Sequence, residues 1–328
     1  MQTEAQTLLR IEKLLIHVGT LSKAQRCQTD RLKQIVRECC QLIQDFKKIY
    51  RSDLHYAPCI NGFKFNVVDF VDALCQTKGY LLADIEHCDE WFGVMTRLFN
   101  TYQRMTTDEQ YAFTRQEKRN ACSLGKYVKS LIEHYSRLTF VRVDLKYCKN
   151  CPQEITINHV DEHLAILCNR LSNADGCFNH LQGHVWAIEQ GEKDGGYHIH
   201  LLLIYDYSDF RNDKLLGRLV GEEWLKITEG CGTYFNINDS EVREGYIEAG
   251  IDGLGKVCRD DPHKVKNAIN AALYLAKPGK FYQRLRVKLS KEAHSFGKGD
   301  YEREFRRQLN SDVEFNLSDY DWFIDSDS

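Results

Sequence analysis

The sequence predicts an α+β fold: an antiparallel sheet flanked by helices, preceded by a mainly helical N-terminal region. Three observations predict it. Apolar residues recur at helical spacing through most of residues 1–136. The pattern changes at Leu138, where the segment LTFVRVDLKY brings in an alternation of apolar and polar residues that is typical of a strand. Beyond it, strand-like and helix-like segments alternate, and one short glycine-bearing turn joins two strands, which favours antiparallel pairing.

Residues 1–136 form the predicted helical N-terminal region, whose role the sequence leaves unknown. Leu8, Ile11 and Leu15 give the helical spacing near its start. An irregular link near residues 55–64 carries Pro58 and Gly62. No motif in this region points to a chemistry.

Residues 137–309 form the predicted second domain, and residues 310–328 form an acidic tail. The predicted strands are 138–147, 184–190, 195–206 and 232–238, and the predicted helices are 159–171, 212–228 and 262–277. An Asp cap and Pro262 at the first helical position mark the start of the last helix.

The size and composition exclude several classes of protein. The chain has 328 residues, 43% of them hydrophobic and 28% charged, which is enough for a sizeable core. No apolar run reaches the roughly 18 to 20 residues of a membrane span, and the N-terminus lacks the layout of a secretory signal. The 13 cysteines are scattered and odd in number, so we expect reduced thiols in a cytoplasmic protein.

Charge is segregated along the chain although the formal net charge is only −3. Residues 256–307 carry 14 Lys or Arg against 6 Asp or Glu, a balance of +8. Residues 310–328 carry six acidic residues and no Lys or Arg. This pattern is compatible with a nucleic-acid-binding surface beside an acidic tail, and a solvated face explains it equally well.

Two histidines stand out in GGYHIHLLLIYD, residues 195–206. His198 and His200 alternate along a strand, so both imidazoles project to one face. Glu189 ends the preceding strand, and the intervening turn brings it back towards them. Together they would make a two-histidine, one-carboxylate metal site with open positions. The alternative is a pair of half-buried histidines bonded to backbone.

Two other motifs could bind metal. His159 and His163 fit the H-x-x-E-H pattern of inverted zinc peptidases, but an acidic first helical turn explains the pattern without a metal. Cys148 and Cys151 form a C-x-x-C with no second pair at zinc-finger spacing.

Tyr274 is the candidate nucleophile. On the helix predicted over residues 262–277 it lies opposite the apolar stripe, among polar neighbours. Lys277 follows three residues later and shares its side of the helix. A nearby ammonium favours an ionised phenol, and tyrosine can form covalent intermediates. An ordinary amphipathic tyrosine remains the alternative.

In combination, these features resemble the HUH-type single-strand endonucleases that initiate rolling-circle replication. Residues 138–299 look similar, more narrowly, to the replication proteins of filamentous phages (inoviruses) and their prophage relatives. The resemblance rests on the order and spacing of GYHIHLLLIYD, GEEWLKITEGCGTYFN, LYLAK and FGKG. It covers about half of the chain.

The resemblance implies a mechanism. His198 and His200, with Glu189 as third ligand, would hold Mg or Mn, and Tyr274 would attack a phosphodiester of single-stranded DNA or of an origin hairpin. A 5′-phosphotyrosine and a free 3′ hydroxyl would result, with Lys277 stabilising the charge. A host polymerase or helicase would be a partner. Pro278 leaves no second tyrosine in LYLAK, so a single-tyrosine type is expected.

Two other functions remain open. A non-catalytic DNA-binding prophage regulator, or a phage-interference protein, could retain the same fold. The H-x-x-E-H peptidase would instead bind metal through His159 and His163. The origin sequence, the physiological metal and the oligomeric state stay open.

Overall fold

The computed structural model describes residues 3–149, 151–191, 196–301 and 315–320. The chain forms two compact units: the N-terminal unit (residues 1–112, 154–157 and 285–293) and the sheet unit (residues 113–153, 158–284 and 294–328). The predicted domain boundaries at residues 136 and 309 stay predictions. Within the described residues no helix is both long and apolar enough to cross a membrane.

The predicted α+β class is confirmed, because helices surround an antiparallel sheet and the N-terminal unit is mainly helical. The α-helices in the described residues are α1 (Glu4–Thr20), α2 (Lys23–Arg26), α3 (Thr29–Ile49), α4 (Pro58–Gly62), α5 (Asp69–Lys78), α6 (Trp91–His134), α7 (Ile157–Ser172), α8 (Asp213–Ile227), α9 (Ser240–Glu248) and α10 (Pro262–Leu273).

The N-terminal unit packs its helices through apolar stripes. A capping box starts α1: the Gln6 N–H donates to Thr3 Oγ1, and the Thr3 N–H donates to Gln6 Oε1. A π-helical turn, Phe63–Val68, joins α4 to α5. Strands β1 (His55–Tyr56) and β7 (Val287–Lys288) pair antiparallel in the same unit.

The sheet unit is built on one antiparallel sheet. Its strands are β2 (Arg137–Tyr147), β3 (Leu181–Gln190), β4 (Tyr197–Asp206), β5 (Gly232–Asn236), β6 (Gly255–Cys258) and β8 (Phe296–Lys298). Their order is β5-β2-β4-β3-β8, and β6 pairs with β2 beyond the end of β5. Strand β4 therefore lies between β2 and β3. The sequence predicted β2 to β5; it did not predict β6, β8 or α9.

The back face of the sheet is covered by α7 and α8. Tyr147 of β2 contacts Trp224 of α8, with ring centres 5.5 Å apart, and its hydroxyl lies 3.0 Å from Nδ1 of His163 on α7. On α8, Gly217 and Gly221 lie directly against side chains of β5.

The front face, which carries His198 and His200, has an apolar half and a polar half. The apolar half packs against α10 and the C-terminal part of α6. Its core comprises Phe140, Leu202 and Ile204 of the sheet, Ala268, Ile269 and Ala272 of α10, and Leu124, Val128 and Leu131 of α6. Because these helices cover only the apolar residues, the polar half is left for a site.

One cysteine pair departs from the expectation of reduced thiols. Cys151 and Cys231 form a disulfide, while Cys148 is a free thiol. The expectation is wrong for this pair because the folded chain brings together residues separated by 80 positions: the Cys148 N–H donates to the Cys231 carbonyl as β2 and β5 meet.

Candidate metal centre

The register of three neighbouring strands builds the site. His198 of β4 stands opposite Glu189 of β3 on one side and Lys146 of β2 on the other. His200 stands opposite Asp144 of β2. Directly opposed residues of an antiparallel pair share a face, so all five side chains belong to the polar half of the front face.

Glu189, His198 and His200 form a group that could hold a metal ion. Their ligand atoms all lie within 4.8 Å of one another. Oε2 of Glu189 lies 3.1 Å from Nε2 of His198 and 3.0 Å from Nε2 of His200. Glu189 is 5% exposed and His200 is 6% exposed, whereas His198 is half-buried. The structure thus brings together the three residues predicted as ligands.

Asp144 of β2 fixes the orientation of the His200 ring. Its Oδ1 lies 2.7 Å from His200 Nδ1, so Nδ1–H donates to the carboxylate. Nη2 of Arg142 also lies near this nitrogen, but at 3.4 Å. We assign the proton by the shorter contact, since Nδ1 cannot donate and accept at once. A carboxylate behind the ring is the usual outer partner of a metal-binding histidine.

This tautomer fits a cation at the group. With its proton on Nδ1, a neutral His200 presents a lone pair on Nε2 to the Glu189 carboxylate 3.0 Å away. Two acceptors at that distance repel unless a proton or a metal ion lies between them. The donor set, two imidazole nitrogens and a carboxylate oxygen, is one that divalent metals use.

Arg142 links the carboxylate to the candidate nucleophile. Its Nε lies 3.3 Å from Asp144 Oδ1, and its guanidinium carbon lies 4.6 Å from the centre of the Tyr274 ring. Burial lowers the pKa of Arg142, but Asp144, Tyr274, Tyr246 and Glu189 raise it, and the net pKa is raised. Burial likewise raises the pKa of Asp144, yet Arg142 and the histidines outweigh it and hold that pKa well below its usual value.

Tyr274 lies beside the ligand group. Its ring centre is 6.2 Å from that of His200, with the rings nearly perpendicular, and its side chain is half-buried. The helix predicted to reach Lys277 is shorter: α10 ends at Leu273, and Tyr274–Ala276 form a 3₁₀ turn. Lys277 has extended backbone (φ −83°, ψ 124°) because a residue before proline avoids helical angles.

Lys277 is the remaining residue of the predicted set, and Tyr282 is the next tyrosine after Tyr274 in the sequence. The side chain of Lys277 is buried, with 8% exposure, and its stabilising role beside the phenol stays a prediction. Tyr282, the nearest alternative phenol in the sequence, is 59% exposed.

The competing histidine motif lies on the back face. His163 contacts Tyr147 and Trp224 there. Burial and neighbouring His159 lower its pKa, outweighing the two acidic neighbours that raise it. Among the described residues, the group of potential metal ligands comprises Glu189, His198 and His200 and neither of these histidines.

Sequence reasoning missed Arg142 and Asp144. A signal for them was present, because both are charged and occupy alternate positions of a strand whose intervening residues are apolar. The strand that pairs with β2 at these two residues could not be deduced from the sequence of β2.

The chain belongs to the family of the YagK/YfjJ C-terminal domain, whose family model matches residues 94–299, more than half of the chain. The matched range contains all of the candidate site residues. No curated protein and no solved structure matches the chain.

Proposed function

We propose that this member of the YagK/YfjJ C-terminal domain family nicks and rejoins single-stranded DNA through a covalent bond to Tyr274. The observation that carries the proposal is the position of that phenol. Its ring lies 6.2 Å from the ring of His200, beside a two-histidine, one-carboxylate group. The resemblance to HUH-type endonucleases, which rests on the order and spacing of motifs that include these histidines and this tyrosine, supports the same conclusion.

Glu189, His198 and His200 would hold a divalent cation, which would supply polarisation of the scissile phosphate. Of Mg²⁺ and Mn²⁺, the donor set favours Mn²⁺. Mg²⁺ prefers an octahedron of oxygens and keeps its waters, whereas imidazole suits softer divalent ions.

Arg142 would stabilise the negative charge that develops on Tyr274 and on the phosphate. Its guanidinium stays charged at any assay pH and lies over the ring, with the carbon 4.6 Å from the ring centre. Asp144 would hold both Arg142 and His200 in place, since its Oδ1 contacts both. Lys277 keeps its predicted role as a second cation.

The proposed step exchanges one phosphoester bond for another. The phenol of Tyr274 loses its proton to solvent, and its oxygen forms a bond to phosphorus. The bond between phosphorus and the 3′ oxygen breaks, and that oxygen takes up a proton from solvent. The product is a 5′-phosphotyrosine and a free 3′ hydroxyl, which a polymerase can extend. Attack by a later 3′ hydroxyl reverses the step and rejoins the strand.

The test is capture of the covalent product. Wild-type protein is incubated with 5′- and 3′-labelled single-stranded oligonucleotides and Mn²⁺, then separated on a denaturing gel. We expect an adduct that carries only the 3′ portion of the cut strand. Tyr274→Phe should abolish it, whereas Tyr282→Phe, which removes an exposed phenol from the same segment, should retain it.

Two outcomes contradict the proposal. If the adduct survives in Tyr274→Phe and disappears in Tyr282→Phe, the nucleophile is Tyr282 and not Tyr274. Absence of any adduct across a broad oligonucleotide pool, with folded protein that binds DNA, favours the non-catalytic DNA-binding regulator.

A further inference from the structure

Beside the metal centre, the front face continues onto β5. Phe235 of β5 stands opposite Asp144, and Thr233 stands opposite Lys146. Since opposed residues share a face, Phe235 lies on the same face as the metal ligands. Neighbouring strands are about 4.8 Å apart, so β5 lies about 10 Å from β4, across β2.

Phe235 is an exposed aromatic ring on this face. Its neighbours in the strand, Tyr234 and Asn236, point to the back face, where they meet Gly221 and Gly217 of α8. Phe235 points away from α8 and is 45% exposed. A single exposed apolar residue is common and does not by itself indicate a binding site. The groups around Phe235 must therefore be considered with it.

A cationic group accompanies Phe235. Nζ of Lys146 lies 6.0 Å from the centre of its ring. An exposed aromatic ring and a lysine therefore border the site on the β5 side.

We propose that Phe235 and Lys146 bind an unpaired nucleotide adjacent to the scissile phosphodiester of single-stranded DNA. This inference rests on the proposed function. The Phe235 ring stacks on the base, and the Lys146 ammonium contacts a phosphate, the two contacts that sequence-tolerant single-strand binding combines. A base paired within a duplex cannot stack on Phe235, so the subsite selects unpaired substrate.

Binding is measured without cleavage. Full-length protein carrying Tyr274→Phe is titrated into a fluorescein-labelled oligo-dT, and fluorescence anisotropy is read at several salt concentrations. Stacking on an aromatic side chain contributes about five- to 150-fold in affinity, and we expect Phe235→Leu to lose an amount in that range. Phe235→Trp should restore binding. Lys146→Ala should reduce the slope of log affinity against log salt by about 0.7, the value for one phosphate contact on a single strand.

Leu215→Ala is the matched control, because Leu215 is an exposed apolar side chain (40%) on α8, on the other side of the sheet. It should bind like the parent. Thermal unfolding of each variant checks that the fold is retained, and Phe235→Leu keeps an apolar side chain in the strand for that reason.

The outcomes separate this inference from the proposed function. If Phe235→Leu and Lys146→Ala bind oligo-dT as the parent does, or if the parent binds a hairpin-free duplex as tightly as oligo-dT, the subsite is refuted even where the Tyr274 adduct forms. If both variants lose affinity while the wild type forms no adduct, the subsite stands and the proposed chemistry fails.

Discussion

Asp144→Asn tests how the metal centre is positioned. The Asp144 carboxylate accepts from His200 Nδ1–H at 2.7 Å and is almost fully buried. Asparagine has the same shape and can still offer an oxygen to that proton, but it carries no charge and adds a competing donor. We therefore expect Mn²⁺ to bind more weakly while the ligands themselves are unchanged.

The expected loss follows from the role of an outer-shell partner. Removing such a partner costs about 10- to 100-fold in metal affinity, or about 1.4–2.7 kcal/mol. Because the pKa of Asp144 is held well below its usual value, the wild-type side chain is fully ionised at neutral pH and the whole charge is lost. Arg142 loses its ion-pair partner as well, so we also expect a fall in stability of about 1–3 kcal/mol.

The affinity for Mn²⁺ is measured by isothermal titration calorimetry on the full chain. The titration is run at a temperature below the melting temperature of the variant. Asp209→Asn is the matched control, because Asp209 faces His180 at 3.5 Å in an exposed pair remote from the ligands. The control should bind Mn²⁺ like the wild type. Unchanged affinity in a folded Asp144→Asn protein would refute the assigned hydrogen bond and the role of Asp144.

Two further predictions concern the metal ligands and acid stability. His198→Ala should lower bound Mn²⁺, measured by elemental analysis after gel filtration, whereas His163→Ala should not; the reverse would favour the peptidase. Burial raises the pKa of Asp252, but Arg243 and Lys264 outweigh it, and the pKa is lowered. The carboxylate therefore stabilises the fold above its unfolded pKa of about 3.9, and this contribution is lost as the pH falls through the lower folded value. Asp252→Asn should thus lower the melting temperature at pH of about 7, with the difference from wild type shrinking below pH of about 4; a constant difference would contradict this assignment.

The ligand group could be predicted from sequence because its geometry is local. Residues two positions apart on a strand project from the same face, so the side chains of His198 and His200 had to be neighbours. The segment between β3 and β4 is short, and Glu189 ends the strand that precedes it, so an antiparallel pairing brings the carboxylate opposite His198. Each step uses the period of a strand and one turn.

Asp144 and Arg142 required information that is not local. Asp144 and His200 are 56 positions apart, and nothing in the sequence of β2 says that its neighbour is β4 rather than β3. The charged residues Arg142, Asp144 and Lys146, at alternate positions of β2, did indicate that part of this face is polar. Only the strand order turns that indication into a hydrogen bond to a particular imidazole.

Packing on the apolar half of the front face explains how Tyr274 reaches the polar half. Ala268, Ile269 and Ala272 of α10 pack in the same core as Leu202, which stands opposite Arg142. The helix ends at Leu273, and Leu275 and Ala276, the residues that follow Tyr274, pack in the same core. Pro278 prevents the helix from continuing through Lys277, and the chain tightens into a 3₁₀ turn at Tyr274. The packing of the residues on either side of Tyr274 against the apolar half therefore holds the phenol ring at the edge of the polar half, beside Arg142 and His200.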